Sequence, residues 1–238
     1  MNTEDQYQKI LNELEHKAGA KQQIYRKTRE TFNLLKDEAN NFAKVLHEDI
    51  LSKDPSVEVS CREKGDFESH LKFGGDTLIF LMHTNVFNFP HEHYVHKTSY
   101  VKEDKMRAYC GMIMVYNFLS DSIKFNRIND TGTLIARIFV NKEGKFFVQG
   151  RKQFSIIYKE FGENTISAEN IRLILQTAVL HAIDFDLLAP SMEMAQEITL
   201  MQKLQDTGHL AIKTGKRLGF ETGEDTRDTP SSSGGSID

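Results

Sequence analysis

The chain has 238 residues, 39% of them apolar, and carries a net charge of −4 at pH 7. This length and apolar fraction suffice for one domain with a substantial core. No apolar run approaches the roughly 18 residues that a membrane-spanning helix needs, so the sequence predicts no transmembrane segment.

Residues 4–52 are predicted to be helical. Their second half carries apolar residues at alternating spacings of three and four, the pattern of an amphipathic helix: Phe32, Leu35, Ala39, Phe42 and Leu46. We expect this face to pack against a sheet of the same chain; a dimerising coiled coil is the alternative. Gly19 predicts a kink or a new helix, because a glycine inside a helix costs about 1 kcal/mol relative to alanine.

A second, weaker apolar row precedes that face and consists of Ile10, Leu14 and Ile24. This row leaves no obvious surface to cover within its own subunit. The sequence therefore predicts a homodimer in which residues 4–28 contact the partner chain, with two-fold symmetry as the common arrangement.

Residues 57–158 are predicted to form a sheet, because short apolar stretches with period-two alternation follow one another with short turns between them. Six to eight strands with such connections favour an antiparallel β-meander. The two cysteines, Cys61 and Cys110, fall in these strands and form no CxxC pair, which argues against a disulfide framework and a zinc–thiolate site. Together with a polar N-terminus that lacks the layout of a secretory signal, they indicate a cytoplasmic protein.

Two of the predicted strands are apolar on both faces. In the first, Met112 and Met114 alternate with Ile113 and Val115. In the second, Ile135 and Phe139 are predicted to oppose a row of four apolar residues: Leu134, Ala136, Ile138 and Val140. The middle of the sheet must then be covered on both sides, by helices, by a partner subunit or around a cavity.

Residues 167–207 are predicted to form two helices, the second from Ser191 to about Gln205. Helices, then a sheet, then helices indicate a single α+β domain spanning residues 1–220. Residues 221–238 are Ser/Gly-rich and nearly devoid of apolar residues, so we expect a disordered tail.

The tail also accounts for the net charge of the chain. It holds five acidic residues and one basic residue, so residues 1–220 contain 29 of each. A neutral body argues against a dedicated nucleic-acid binder, which normally shows an excess of basic residues.

Four histidines, His83, His91, His93 and His96, fall within fourteen positions. A turn near Phe89 and Pro90 would place His83 opposite His96 across a hairpin, with His91 and His93 on one face of a strand. One interpretation is a metal-binding protein or a metal-dependent enzyme that uses these four residues. The preferred interpretation is a solvated loop without a metal.

Two basic patches, residues 16–29 and residues 213–217, suggest a nucleic-acid-associated factor as a further alternative. The other explanation is a solvated helix face and a tethered C-terminal arm. We prefer this second explanation and expect no nucleic-acid partner.

The sequence contains none of the common catalytic signatures, such as GxSxG, GxxxxGK[ST], HExxH or GxGxxG after a strand. We therefore predict no catalytic residue and no cofactor. The favoured interpretation is a non-catalytic, cytoplasmic protein–protein interaction or adaptor domain that self-associates.

Overall fold

The structure is a computed structural model that describes residues 3–150, 154, 160–187 and 200. A long helical run opens the chain: α1 (Thr3–Glu13), a π-helical turn (Leu14–Ala18) and α2 (Gly19–Leu51). This confirms the predicted long N-terminal helix. The irregularity predicted near Gly19 is the π-helical turn that precedes it, and Gly19 itself has helical dihedral angles.

The sheet of the described residues has six antiparallel strands that lie in sequence order. They are β1 (Val59–Glu63), β2 (Glu68–Phe73), β3 (Asp76–Met82), β4 (Gly111–Leu119), β5 (Thr133–Val140) and β6 (Phe146–Gly150). Each strand pairs with the next one along the chain. The α+β class and the antiparallel meander are thereby confirmed.

Two long helices cover one face of the sheet, called the near face here. They are α2 and the C-terminal helix, which begins after the N-cap residue Ser167 and runs over Ala168–Ile183. Buried apolar side chains from both helices meet the central strands in one core: Phe32, Leu35, Ala39, Leu71, Phe80, Ile113, Val115, Ile171, Ile174 and Leu175. The predicted packing of the amphipathic helix on its own sheet is therefore confirmed.

A close contact fixes the separation of α2 from β4. A Cβ atom at Gly111 would lie 1.9 Å from Oγ1 of Thr28. Only glycine fits there, and the backbone of β4 approaches the helix directly. Beside this contact, Nε of Arg172 in the C-terminal helix donates to Oε2 of Glu38 in α2 at 2.6 Å, which links the two covering helices.

The connection between β3 and β4 covers part of the opposite face, called the far face. It contains a 3-10 helix (Tyr94–Lys97), the short helix α3 (Ser99–Glu103) and a second 3-10 helix (Lys105–Ala108). Its buried residues form a second core with the far face of the strands: Val95, Val101, Ala108, Cys110, Met112, Phe139, Phe147 and Phe161. The central strands thus have cover on both faces, as their apolar residues predict.

The alternation predicted for β5 fails at one point. The register between β4 and β5 shifts between Val115 and Tyr116. As a result, Ile135 and its neighbour Ala136 both lie in the near-face core. A strict period of two had placed them on opposite faces.

Several predictions fall outside the described residues. These are the second C-terminal helix from Ser191 to about Gln205, of which only Leu200 is described, the basic patch 213–217 and the tail 221–238. Of the predicted helical range 167–207, the structure describes the helix at Ala168–Ile183. No helix in the described part of the chain has the length and apolar character needed to cross a membrane.

Candidate functional site

The N-terminal helix carries an apolar surface that its own chain leaves exposed. None of the residues of α1 is buried. Tyr7, Ile10 and Leu14 are 55%, 56% and 57% exposed, and Leu11 beside them is also exposed. These four residues are called the N-terminal stripe. Contiguous exposed apolar residues of this kind mark interaction surfaces, whereas single ones are ordinary.

The π-helical turn separates this stripe from the buried side of α2. A π-turn closes its hydrogen bonds over five residues instead of four and so inserts about one residue into the helix. One residue corresponds to a rotation of about 100°. In a regular helix Ile10 and Ile24 would share a face, because the 14 residues between them make about four turns. The inserted residue turns Ile10 away from that buried side.

The two isoleucines differ in exposure because residues 3–17 are exposed on every side of the helix, whereas Ile24 lies where the helix packs on the body. Ile24 is fully buried, and Thr28 one turn later is buried against Gly111. The prediction that Ile24 belongs to the outer row is therefore wrong: its side chain belongs to the protein's own interior. The surface available to a partner is centred on residues 7–14.

Charged residues flank the N-terminal stripe. Lys9 and Glu13 are one helical turn apart, and together with Ile10 and Leu14 they line an open groove along this side of the helix. The groove continues past the π-helical turn to Lys21. An apolar pair with a base and an acid beside it can recognise a partner of complementary charge.

The histidine segment, residues 83–96, lies in the connection between β3 and β4. The amide of His93 donates to the carbonyl of Pro90, and a 3-10 helix over Tyr94–Lys97 follows. The strand opposite His83 is β4, whose Met112 carbonyl accepts from the amide of His83, and the segment that holds His91, His93 and His96 forms turns and a 3-10 helix. The predicted hairpin with His91 and His93 on one strand face is therefore wrong.

The structure brings two of the four histidines together. The rings of His91 and His96 lie 5.8 Å apart, and Nε2 of His96 lies 3.0 Å from the carbonyl oxygen of Phe89. His93 stacks on Phe89 at 4.6 Å, and its Nδ1 accepts a hydrogen bond from the amide of Val95. Burial, followed by the nearby His96 and Arg137, lowers the pKa of His93 below its ordinary value.

His83 is held separately. Its ring packs edge-on against Phe87 at 4.8 Å, and its Nδ1 accepts from the amide of Asn85 at 3.0 Å. No group of three or more His, Cys, Asp or Glu side chains is arranged for a metal ion within the residues that the structure describes.

A polar network anchors the rest of the connection to the turn between β5 and β6. The hydroxyl of Tyr100 donates to Oε2 of Glu143 at 2.7 Å and accepts from Nδ2 of Asn141 at 2.7 Å. Arg107 donates to Oε1 of Glu143 at 3.0 Å, and its guanidinium lies 4.4 Å from the centre of the Tyr100 ring. Burial raises the pKa of Tyr100 well above its ordinary value, so this hydroxyl stays protonated. These side chains hydrogen-bond to one another, and the network therefore fixes the connection to the β5–β6 turn.

The buried cysteine beside this connection has no chemical role that the geometry supports. Cys110 is fully buried, and burial raises the pKa of its thiol. A reactive cysteine needs a thiolate and access to solvent, and Cys110 meets neither condition.

The first basic patch, residues 16–29, lies along the π-helical turn and the start of α2. Lys27 pairs with Glu30 at 2.9 Å, and Arg29 pairs with Asp66 at 3.1 Å. These two bases therefore form ion pairs within their own chain.

The comparisons with known proteins give no family and no relative: no family model, no curated protein and no solved structure matches this chain.

Sequence reasoning missed two residues of the N-terminal stripe. Tyr7 lies three residues before Ile10, and Leu11 lies three before Leu14, so the helical spacing carried the signal for both. Nothing in the sequence predicts the π-helical turn that begins at Leu14.

Proposed function

We propose that this protein is a non-catalytic, cytoplasmic protein–protein interaction domain that self-associates through the N-terminal stripe. The observation that carries the proposal is the exposure of Tyr7, Ile10, Leu11 and Leu14 along α1 and the start of the π-helical turn, neither of which has a buried residue. Burying these four side chains against a partner would remove apolar surface from water. Each Å² of apolar surface buried in this way stabilises the complex by about 25 cal/mol.

The covered parts of the two sheet faces are not available as a surface for self-association. Helices α2 and Ala168–Ile183 occupy the near face, and the β3–β4 connection occupies part of the far face. The saturated network around Tyr100 and the inaccessible Cys110 supply no group poised for catalysis. The metal-binding and nucleic-acid interpretations remain predictions from the sequence.

Sedimentation of the full chain at tens of micromolar tests the proposal. We expect a dimer for the natural sequence and a monomer for the double variant Ile10→Ser, Leu14→Ser. Ile128 is 84% exposed and lies off the stripe, so Ile128→Ser is the matched control and should remain dimeric.

A monomeric natural chain at these concentrations would contradict the proposal. So would a double variant that stays dimeric, because the contact would then lie elsewhere on the molecule. Circular dichroism of all variants shows whether each one is folded.

A further inference from the structure

We propose that the N-terminal stripe of one chain packs on the uncovered part of the far face of a second copy of this chain. This inference rests on the self-association proposed above and names the surface that receives the stripe. In a two-fold dimer each chain then gives one helix to its partner and receives one from it, so both subunits use the same two surfaces.

The far face carries an apolar area that lies outside both cores. Directly opposed residues of antiparallel strands share a face, and the register places Ile79, Tyr116 and Leu134 in one row across β3, β4 and β5. Leu81 and Phe118 lie in the rows on either side. Neither core of the described residues includes any of these five, and all except the central Ile79 are at least partly exposed. They are called the open patch.

The dimensions of the two surfaces match. The stripe from Tyr7 to Leu14 spans about 10 Å of helix at 1.5 Å per residue. From the row of Leu81 to the row of Phe118 the strands advance by four residues, or about 13 Å. Across β3 to β5 the patch is about 10 Å wide, which is close to the diameter of one helix. A single helix therefore covers the open patch.

Bases border the open patch on both sides. Arg62 lies on the far face of β1 in the row of Ile79, and Arg137 lies on the far face of β5 opposite Met114. The same part of the far face also holds two ion pairs, Lys72 with Glu58 at 2.5 Å and His70 with Glu68 at 2.6 Å. The acids beside the patch are therefore already paired, and the two arginines favour a partner with acidic borders.

Acids border the N-terminal stripe on both sides. Glu4 precedes Leu11 by seven residues, or about two turns, and so lies along the Leu11 side of the stripe. Glu13 follows Ile10 by three residues and lies along the Ile10 side. Residues 3–15 contain four acids and the single base Lys9, which lies about 200° around the helix from Leu11. An apolar stripe with acidic borders thus complements an apolar patch with basic borders.

The receiving surface belongs to another copy of the chain. α1, the π-helical turn and α2 form one helical run from Thr3 to Leu51, and α2 packs on the near face. The open patch of the same chain lies on the other side of the sheet. A chain could cover its own patch with α1 only if this run broke and folded back.

Leu134→Glu is the first test, with the dimer dissociation constant of the full chain measured by sedimentation equilibrium. The change places an acid in the open patch opposite the acidic borders of the stripe, and we expect association at least tenfold weaker. Leu134 is 38% exposed, so the variant should fold, which circular dichroism checks. Val45→Glu puts the same charge on the outer side of α2, at a residue 59% exposed, and should keep the natural affinity.

Arg62→Glu is a second variant that leaves the apolar residues in place. It reverses a charge at the exposed border of the patch and should weaken the dimer about three- to tenfold. Natural affinity in both Leu134→Glu and Arg62→Glu would overturn the inference and leave self-association standing, because the stripe would then pair with another surface.

Mixing two variants is the third test. The stripe variant Ile10→Ser, Leu14→Ser keeps the open patch, whereas Leu134→Glu keeps the stripe. A mixed dimer has one intact contact and each variant alone has none, so the equimolar mixture should associate more tightly than either variant. A mixture that sediments as the sum of its two components would overturn the inference. A natural chain that is monomeric at every concentration would overturn self-association as well.

Discussion

At the scale of single residues, His93 is the titratable group of the histidine segment whose surroundings most clearly oppose its charge. Its ring stacks on Phe89, its neighbours include His96 and Arg137, and its pKa is lowered by burial and by those charges. The folded protein therefore favours neutral His93 more than the unfolded chain does.

The first prediction is a loss of stability on acidification. Because the folded pKa of His93 is below the unfolded value of about 6.5, its contribution is complete above pH 6.5. It is lost as the pH falls from there through the folded pKa. His93→Asn keeps an acceptor for the amide of Val95 and should flatten the pH dependence of urea unfolding between pH 7 and 5. His91→Asn, at an exposed position, is the control and should keep the natural slope; equal slopes in all three proteins would contradict the prediction.

The second prediction concerns the contact between α2 and β4. Gly111→Ala places a methyl group within 1.9 Å of Oγ1 of Thr28, so we expect a loss of about 1–3 kcal/mol in the free energy of unfolding. Thr28→Ala removes the obstructing hydroxyl, and in the double variant the two losses should be less than additive. Gly75→Ala, where an added Cβ meets nothing within 4 Å, is the control for replacing a glycine.

At the scale of elements, the β3–β4 connection behaves as a fixed cover of the far face. Tyr100, Arg107, Asn141 and Glu143 join it to the β5–β6 turn by hydrogen bonds of 2.7–3.0 Å. Lys142 adds an ion pair with Asp104 at 2.7 Å. These contacts give a connection without strands a defined position.

The third prediction tests that anchor. Tyr100→Phe removes the hydroxyl shared by Asn141 and Glu143, and we expect a loss of about 0.5–1.5 kcal/mol in the free energy of unfolding. Amide hydrogen exchange should rise in residues 94–108 and stay unchanged in β1 and β2. The control is Tyr94→Phe, on the exposed side of the same connection. Uniform acceleration of exchange across the sheet would show that the network supports the whole fold and not the connection alone.

At the scale of the whole molecule, the body and the N-terminal helix are separable. The buried residues that α2 gives to the near-face core begin at Phe32, with Tyr25 packed against them, whereas α1 contributes no buried residue. Ile24 and Thr28 mark where the helix enters the body.

The fourth prediction follows from that division. A chain lacking residues 1–17 should fold, melt within a few degrees of the full chain and be monomeric, because the deletion removes the N-terminal stripe and keeps Ile24. Removing residues 1–28 should lower the melting temperature further, since it takes away two buried side chains. Scanning calorimetry and light scattering measure both effects; a dimeric chain after the shorter deletion would place the interface elsewhere.

The sequence by itself determined the elements with strong periodicity. The spacing of Phe32, Leu35 and Ala39 identified both the helix and the side that packs, because every third or fourth residue of a helix meets the same surface. The apolar residues on both faces of β4 predicted two covers for the sheet, since exposed apolar strands are unstable in water. The short connections from β1 to β2, from β2 to β3 and from β5 to β6 predicted that these strands lie side by side.

Only the tertiary structure decided the features that depend on a single inserted residue or on distant neighbours. The π-helical turn rotates Ile10 off the side of the helix that carries Ile24, and residues 3–17 are exposed on every side while Ile24 is buried. The register shift between β4 and β5 brings Ile135 into the core beside Ala136. The histidine segment forms helical turns and not a hairpin, because its aromatic residues pack on Phe139 and Phe147 of the far face. Local patterns record period and polarity, whereas the direction in which a side chain finally points depends on the surfaces that the rest of the chain brings to it.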